Sequence, residues 1–291
     1  MEPGRICGGW LGAWAMAAGL FLAGSATGAQ PWEELKGCTL IPQPFNDGDS
    51  FHVLHNNTEY VFRLYYVDCA ETIPSLNQRM AEQAVYWGIA DDEIMSLGKE
   101  ASAFTAKFLR YPFTVKTCWQ RALGRSQIPR RYAFVSAFGQ DLGEALVKNG
   151  LAQVYGEQRK APEGMSSRGY VARLLRLEAE ARKFRRGAWA LLSPNSPLNA
   201  NRGVRQTAEG AAYVLPWPAP VYAAQDPAKR AGTLRETSVV WLLEVRPDGM
   251  VRLRFETEDG TEHDFLARRD QLGLPPGPLL VTPPAKSEPD P

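Results

Sequence analysis

The stretch NDGDSFHVLHNNTEYVFRLYYVDCAE, residues 46–71, decides how the chain is read. Phe51 to His55 and Glu59 to Val67 are two strand-like runs of apolar, aromatic and β-branched residues. Between them stands Asn56-Asn57, a pair that tolerates the positive φ of a two-residue hairpin turn. Asn46-Asp47-Gly48-Asp49 is a second turn signal, and read alone Asp47 and Asp49 are ordinary turn residues. Folding the hairpin brings its open ends together. Asp49 opens one strand and Asp68 closes the other, so the two meet at one rim with the adjacent Glu71. Hard carboxylate oxygens grouped in this way suit calcium or magnesium. Arg63 lies five residues before Asp68, on the opposite face of a perfectly regular strand. Sharing the site therefore demands a bulge or a strong twist at the strand end. Carboxylates with a guanidinium are the equipment for metal-assisted attack on a phosphodiester.

Working outward, Cys38 to Phe45 is an apolar-biased strand ahead of the hairpin, and Phe113 to Trp119 and Arg131 to Phe138 are two strands after it. Gly98 to Leu109 carries Ala101, Phe104, Phe108 and Leu109 at helical spacing. Asp141 to Lys148 is a short helix, with Asp at its start and Gly150 just past its end, and Ser166 to Arg186 is a longer amphipathic helix stopped by Gly187. Five strands with a helix between the third and fourth is the order of an OB-type barrel. The expected fold is α+β: an OB-fold barrel with three or more helices over residues 30–195, then a small all-β region over 196–274. A Ser-Pro-Asn-Ser-Pro linker at 193–197 separates them, and a mobile Pro-rich tail covers 275–291. In the second block, Val239 to Val245, Met250 to Glu256 and Glu262 to Ala267 are joined by Asp-Gly turns, a meander that suggests a small barrel loosely similar to SH3-like domains.

Five segments, in order, resemble the staphylococcal nuclease family. They are Asp47-Gly48-Asp49-Ser50, Phe62 to Thr72, Gly98 to Thr105, Glu144 to Ala152, and Leu177 to Ala181 continuing through Gly187-Ala188-Trp189. The resemblance implies a calcium-dependent nuclease on DNA or RNA that leaves 3′-phosphate ends. It implies Asp49, Asp68 and the backbone carbonyl of Cys69 as metal ligands and Glu71 as general base. It implies Arg63 as phosphate clamp, with a second arginine before the fifth strand. Ungapped counting puts that arginine at Arg130; Gly124-Arg125 is the other candidate, and the strand favours Arg130. Tyr155 is a candidate for stacking on a base. Three departures stand out: Cys69 where Thr is usual, Ala70 where Pro is usual, and a connection from Thr72 to Leu97 roughly twice the usual length. Arg79 to Gly88 within it is expected to form an extra helix near the site, narrowing access or adding contacts. The rival expectation is a non-catalytic OB module binding nucleic acid, protein or cell wall.

Composition narrows the rest. A net charge of +1 excludes a polycation gripping nucleic acid by bulk charge, and three His leave little room for the usual zinc ligand sets. Residues 1–29 read as a secretory signal. Arg5 is followed by an uncharged run from Trp10 to Ala23, shorter than the roughly 20 residues of a membrane span, and Thr27-Gly28-Ala29 offers a cleavage site. The expected product is a secreted or periplasmic monomer without a membrane partner. Export permits a disulfide. In an OB barrel the first and fourth strands pair antiparallel, so Cys38 and Cys118 are expected to bridge and Cys69 to stay alkylatable.

Overall fold

The fold is taken from a computed structural model that describes residues 30–73, 77–124, 126–192, 204–207, 210–257, 259–274, 279 and 281. The signal segment, Arg125, the 193–197 linker and most of the tail lie outside the described residues. No helix among the described residues is long and apolar enough to cross a membrane.

The first half holds β1 (Glu33–Leu40), β2 (Ser50–His55), β3 (Thr58–Leu64), β4 (Val67–Cys69), α1 (Asn77–Trp87), α2 (Asp91–Phe108), β5 (Phe113–Thr117), β6 (Arg130–Ala137), β7 (Gln140–Asp141), α3 (Leu142–Lys148), β8 (Ala152–Val154), α4 (Ser167–Lys183) and α5 (Ala188–Leu191). Strands β1, β2, β3, β6 and β5 close into a five-stranded barrel of the OB type, sealed by the parallel pairing of β3 with β6. The hairpin turn at Asn56 and Asn57 has φ of 48° and 59°, the left-handed conformation that asparagine tolerates. Asp141 caps α3, its side chain accepting from Glu144 N, and Ser166 caps α4 through Gly169 N. Buried Phe51, Phe62, Val115, Leu146, Leu174 and Trp87 fill one core.

β1 lies five residues earlier than its apolar pattern suggests. Pro42 and Pro44 cannot donate to a ladder, so the chain leaves the sheet after Leu40. A bulge at Gly37, with φ of 72°, lets β1 turn from β5 toward β2. This overturns the Cys38–Cys118 bridge. The two strands do pair antiparallel, but Cys38 sits opposite Phe113, whereas Cys118 follows Thr117, the partner of Glu33. Five residues of strand separate them by ~17 Å, while a disulfide needs Cα atoms within about 7 Å. Cys38, Cys69 and Cys118 are all free and buried, so Cys69 is unbridged as expected while Cys38 and Cys118 are not joined.

Among its described residues the C-terminal region is all-β apart from one short helix. It comprises β9 (Val204–Thr207), β10 (Gly210–Val214), β11 (Ala219–Ala223), β12 (Asp226–Leu234), β13 (Val239–Val245), β14 (Met250–Glu256), β15 (Glu262–Arg268) and α6 (Arg269–Leu272). The strands form one antiparallel sheet in the order β12-β11-β15-β14-β13-β10-β9. Period-2 alternation splits β10 and β13 between two cores. Ala212, Val239 and Trp241 join the barrel's core, while Ala211, Tyr213, Val240 and Leu242 build a second one.

Candidate active site

The site is built where β3 ends. Tyr65 and Tyr66 form a bend between β3 and β4, and Tyr66 has φ of 66°. This irregularity breaks the alternation that would otherwise place Arg63 and Asp68 on opposite faces. Arg63 Nη2 donates to Asp68 Oδ1 at 2.7 Å and lies 3.5 Å from Asp49 Oδ2. Asp49 and Asp68 are buried, and these carboxylates, Asp49 first, hold the Arg63 guanidinium firmly charged. Asp49 Oδ2 also accepts from Cys69 N at 2.9 Å, tying the two ends of the hairpin together. Burial raises the Asp49 carboxyl, with Arg63 pulling against it. Asp47 closes its turn by accepting from Asp49 N and Ser50 N; burial, then Asp49, raises its carboxyl strongly. Two close approaches shape the floor. A Cβ on Gly48 would stand 2.6 Å from Cys69 Sγ and 2.8 Å from Ala101 Cβ, so only glycine lets the loop lie against α2.

Arg130, the first residue of β6, reaches across the barrel rim to Ser50 Oγ at 3.4 Å. Ser50 is also the register partner of Arg63. Among the described residues the buried Arg130 Nε has no hydrogen-bond partner. Gly124 packs so tightly on this side chain that a Cβ there would overlap the guanidinium. Arg125 lies outside the described residues. Tyr155 follows β8, which pairs with β4, and the residue is 61% exposed.

Helix α1 supplies what the sequence reading missed. The expected extra helix spans Asn77–Trp87, and it adds contacts directly to the carboxylates. Arg79 Nη2 donates to Asp68 Oδ1 at 2.6 Å, while its Nε lies 2.7 Å from Glu71 Oε1. Gln83 Nε2 donates to Asp68 Oδ2 at 3.0 Å and to Cys69 O at 2.9 Å, and its oxygen accepts from Glu71 N at 3.0 Å. Gln153 on β8 completes the set by donating to Asp68 Oδ2 at 2.7 Å. The signal was the four-residue spacing of Arg79 and Gln83, which puts both on one helical face. Burial raises the Glu71 carboxyl above its ordinary range, although Arg79 pulls it down.

The donor set that the resemblance assigns to calcium does not fit the ion as arranged. Asp68 already accepts four hydrogen bonds, the Cys69 carbonyl is bonded to Gln83, and Asp49 Oδ2 to Cys69 N. Among the described residues no group of three or more His, Cys, Asp or Glu is arranged to hold a metal ion.

No curated protein matches the chain. Residues 61–191 match the sequence model of the family described as staphylococcal nuclease homologue. This span carries Arg63, Asp68, Glu71, Arg79, Gln83, Arg130 and Gln153 on the closed barrel and its helices, and over these residues the chain is similar to that family.

Proposed function

We propose that this chain is an exported, monomeric nuclease that hydrolyses phosphodiester bonds of DNA or RNA at the barrel rim. One observation carries the reading: Arg63, Asp49, Asp68 and Glu71 converge through shared hydrogen bonds, with Arg130 beside them at Ser50. The scissile phosphate lies against the Arg63 and Arg130 guanidinia, whose paired N–H groups match phosphate oxygens. Water placed at Glu71 Oε2 gives its proton to that carboxylate as its oxygen bonds to phosphorus. The bond from phosphorus to the 5′ oxygen breaks, and the departing oxygen takes a proton from solvent. The product keeps a 3′-phosphate. The arginines stabilise charge that develops in the transition state, a role that elsewhere in phosphoryl transfer is worth about 10³–10⁵ in rate. The exposed Tyr155 ring offers a base a stacking surface.

A second reading, a non-catalytic nucleic-acid-binding barrel, is favoured by the ion pair of Glu71 with Arg79, which occupies one oxygen of the base. End-group analysis separates the two. Incubation with a labelled oligonucleotide should yield fragments whose 3′ ends are phosphatase-sensitive. Intact oligonucleotide at every enzyme concentration, or fragments ending in 3′-hydroxyl, would contradict the proposal.

A further inference from the structure

The carboxylates at the rim are already supplied with a cation. Arg79 bridges Asp68 and Glu71, the residues assigned to a metal ligand and to the base, and it contacts each through a different nitrogen. Gln83, one turn further along α1, holds Asp68 Oδ2 and the Cys69 carbonyl with its nitrogen and the Glu71 amide with its oxygen. One helical face thus engages Asp68, the Cys69 carbonyl and both the carboxylate and the amide of Glu71. A carboxylate offers about four acceptor positions, and those of Asp68 are all in use. Calcium needs six to eight oxygens at about 2.3–2.6 Å, and here it would have to displace a guanidinium and an amide together.

The helix is not a loose arm. Met80, Ala84 and Trp87 bury its other face in the barrel core. The Tyr86 hydroxyl donates to Glu178 of α4, and the Arg205 guanidinium lies over the Tyr86 ring, 4.5 Å from its centre. Arg79 and Gln83 are therefore presented by a packed element whose position is fixed before any ligand arrives. Charge points the same way. Asp49, Asp68 and Glu71 face Arg63 and Arg79, so the cluster is one unit negative with Arg79 and two without it.

We propose that Arg79 is the resident cation of this site, standing where the family would hold calcium, and that Gln83 organises the Asp68–Glu71 loop in the ion's stead. On the nuclease reading, which this part of the inference rests on, phosphodiester cleavage proceeds in the presence of a chelator.

Calcium calorimetry and calcium-dependent melting on wild type, Arg79→Ala and Arg79→Lys test the ion replacement without any reference to activity. Wild type and Arg79→Lys should show no saturable calcium heat and no shift in Tm. Arg79→Ala, which leaves the helix core intact, should gain saturable calcium heat and a calcium-dependent rise in Tm. Saturable wild-type binding that Asp68→Ala abolishes would overturn the proposal, as would an Arg79→Ala variant as silent as wild type. Oligonucleotide cleavage with calcium and with chelator is measured alongside. Wild-type cleavage that stops in chelator also contradicts the proposal. If no variant cleaves in either buffer while the calorimetry behaves as expected, the nuclease reading fails and the ion replacement stands.

Discussion

Glu71 stands between two opposing influences, burial that favours its neutral form and Arg79 that favours its charged form, and burial prevails. A general base works deprotonated, so activity is lost as pH falls through this raised value. The acid limb of the rate profile should therefore lie above the ordinary glutamate range. Arg79→Ala removes the influence that lowers the value, and the limb should move further up in pH. A pH–rate series on both proteins checks this; a limb that stays put or moves down contradicts it. At this scale the candidate residues were legible in part. Asp49, Asp68 and Glu71 follow from the hairpin, because a tight Asn-Asn turn forces its two ends together. Arg63 could not be settled by counting, since the alternation of a strand holds only until a bend such as that at Tyr65 and Tyr66 interrupts it. Arg79 and Gln83 share a helical face by spacing, but what that face meets is a property of the packed molecule.

At the scale of elements, α2 is docked on the site loop by a missing side chain. A Cβ on Gly98 would stand 2.6 Å from both the Ala70 and the Glu71 carbonyl oxygens. Ala70 lacks proline's stiffness, and the loop is instead held between Gly98 and Gln83. Gly98→Ala should gain about 1 kcal/mol of helix propensity but lose more by forcing two backbone segments apart, overpacking that typically costs about 1–3 kcal/mol. Urea denaturation should place the variant below wild type; a stabilised variant would show that the contact yields freely. The strands best read from sequence were those bounded by strong turns. β13 and β14 match their predicted bounds because Pro247-Asp248-Gly249 separates them. β1 lies earlier than its apolar pattern suggests because apolar content continues past Leu40, while Pro42 and Pro44 have no N–H to donate to a ladder. β12, with the sequence DPAKRAGTL, has little strand character of its own; it is a sheet edge, paired with β11 and mostly exposed.

For the molecule as a whole, α4 lies between the barrel and the C-terminal sheet and contacts both. Its buried Glu178 receives Tyr86 from α1, Arg182 from its own helix and Arg205 from β9. Arg168 of α4 pairs with Glu262 of β15, and Ser166 donates to Glu256 of β14 at 2.5 Å. These links run from the C-terminal sheet through α1 to Arg79, so the sheet braces the helix that closes the site. None of this was legible in the sequence, where Glu178 and Arg205 are two charges among many. The all-β character of the C-terminal region was legible, because its Asp-Gly turns are local signals. The most direct test of the proposed chemistry is single-turnover cleavage of a labelled single-stranded oligonucleotide by wild type and Glu71→Gln, in calcium and in chelator. The substitution keeps size and hydrogen bonding and removes basicity. With Glu71 as the base, Glu71→Gln should keep its Tm and cleave about 10²–10⁴-fold more slowly; a folded Glu71→Gln protein that cleaves at close to the wild-type rate would remove Glu71 from that role.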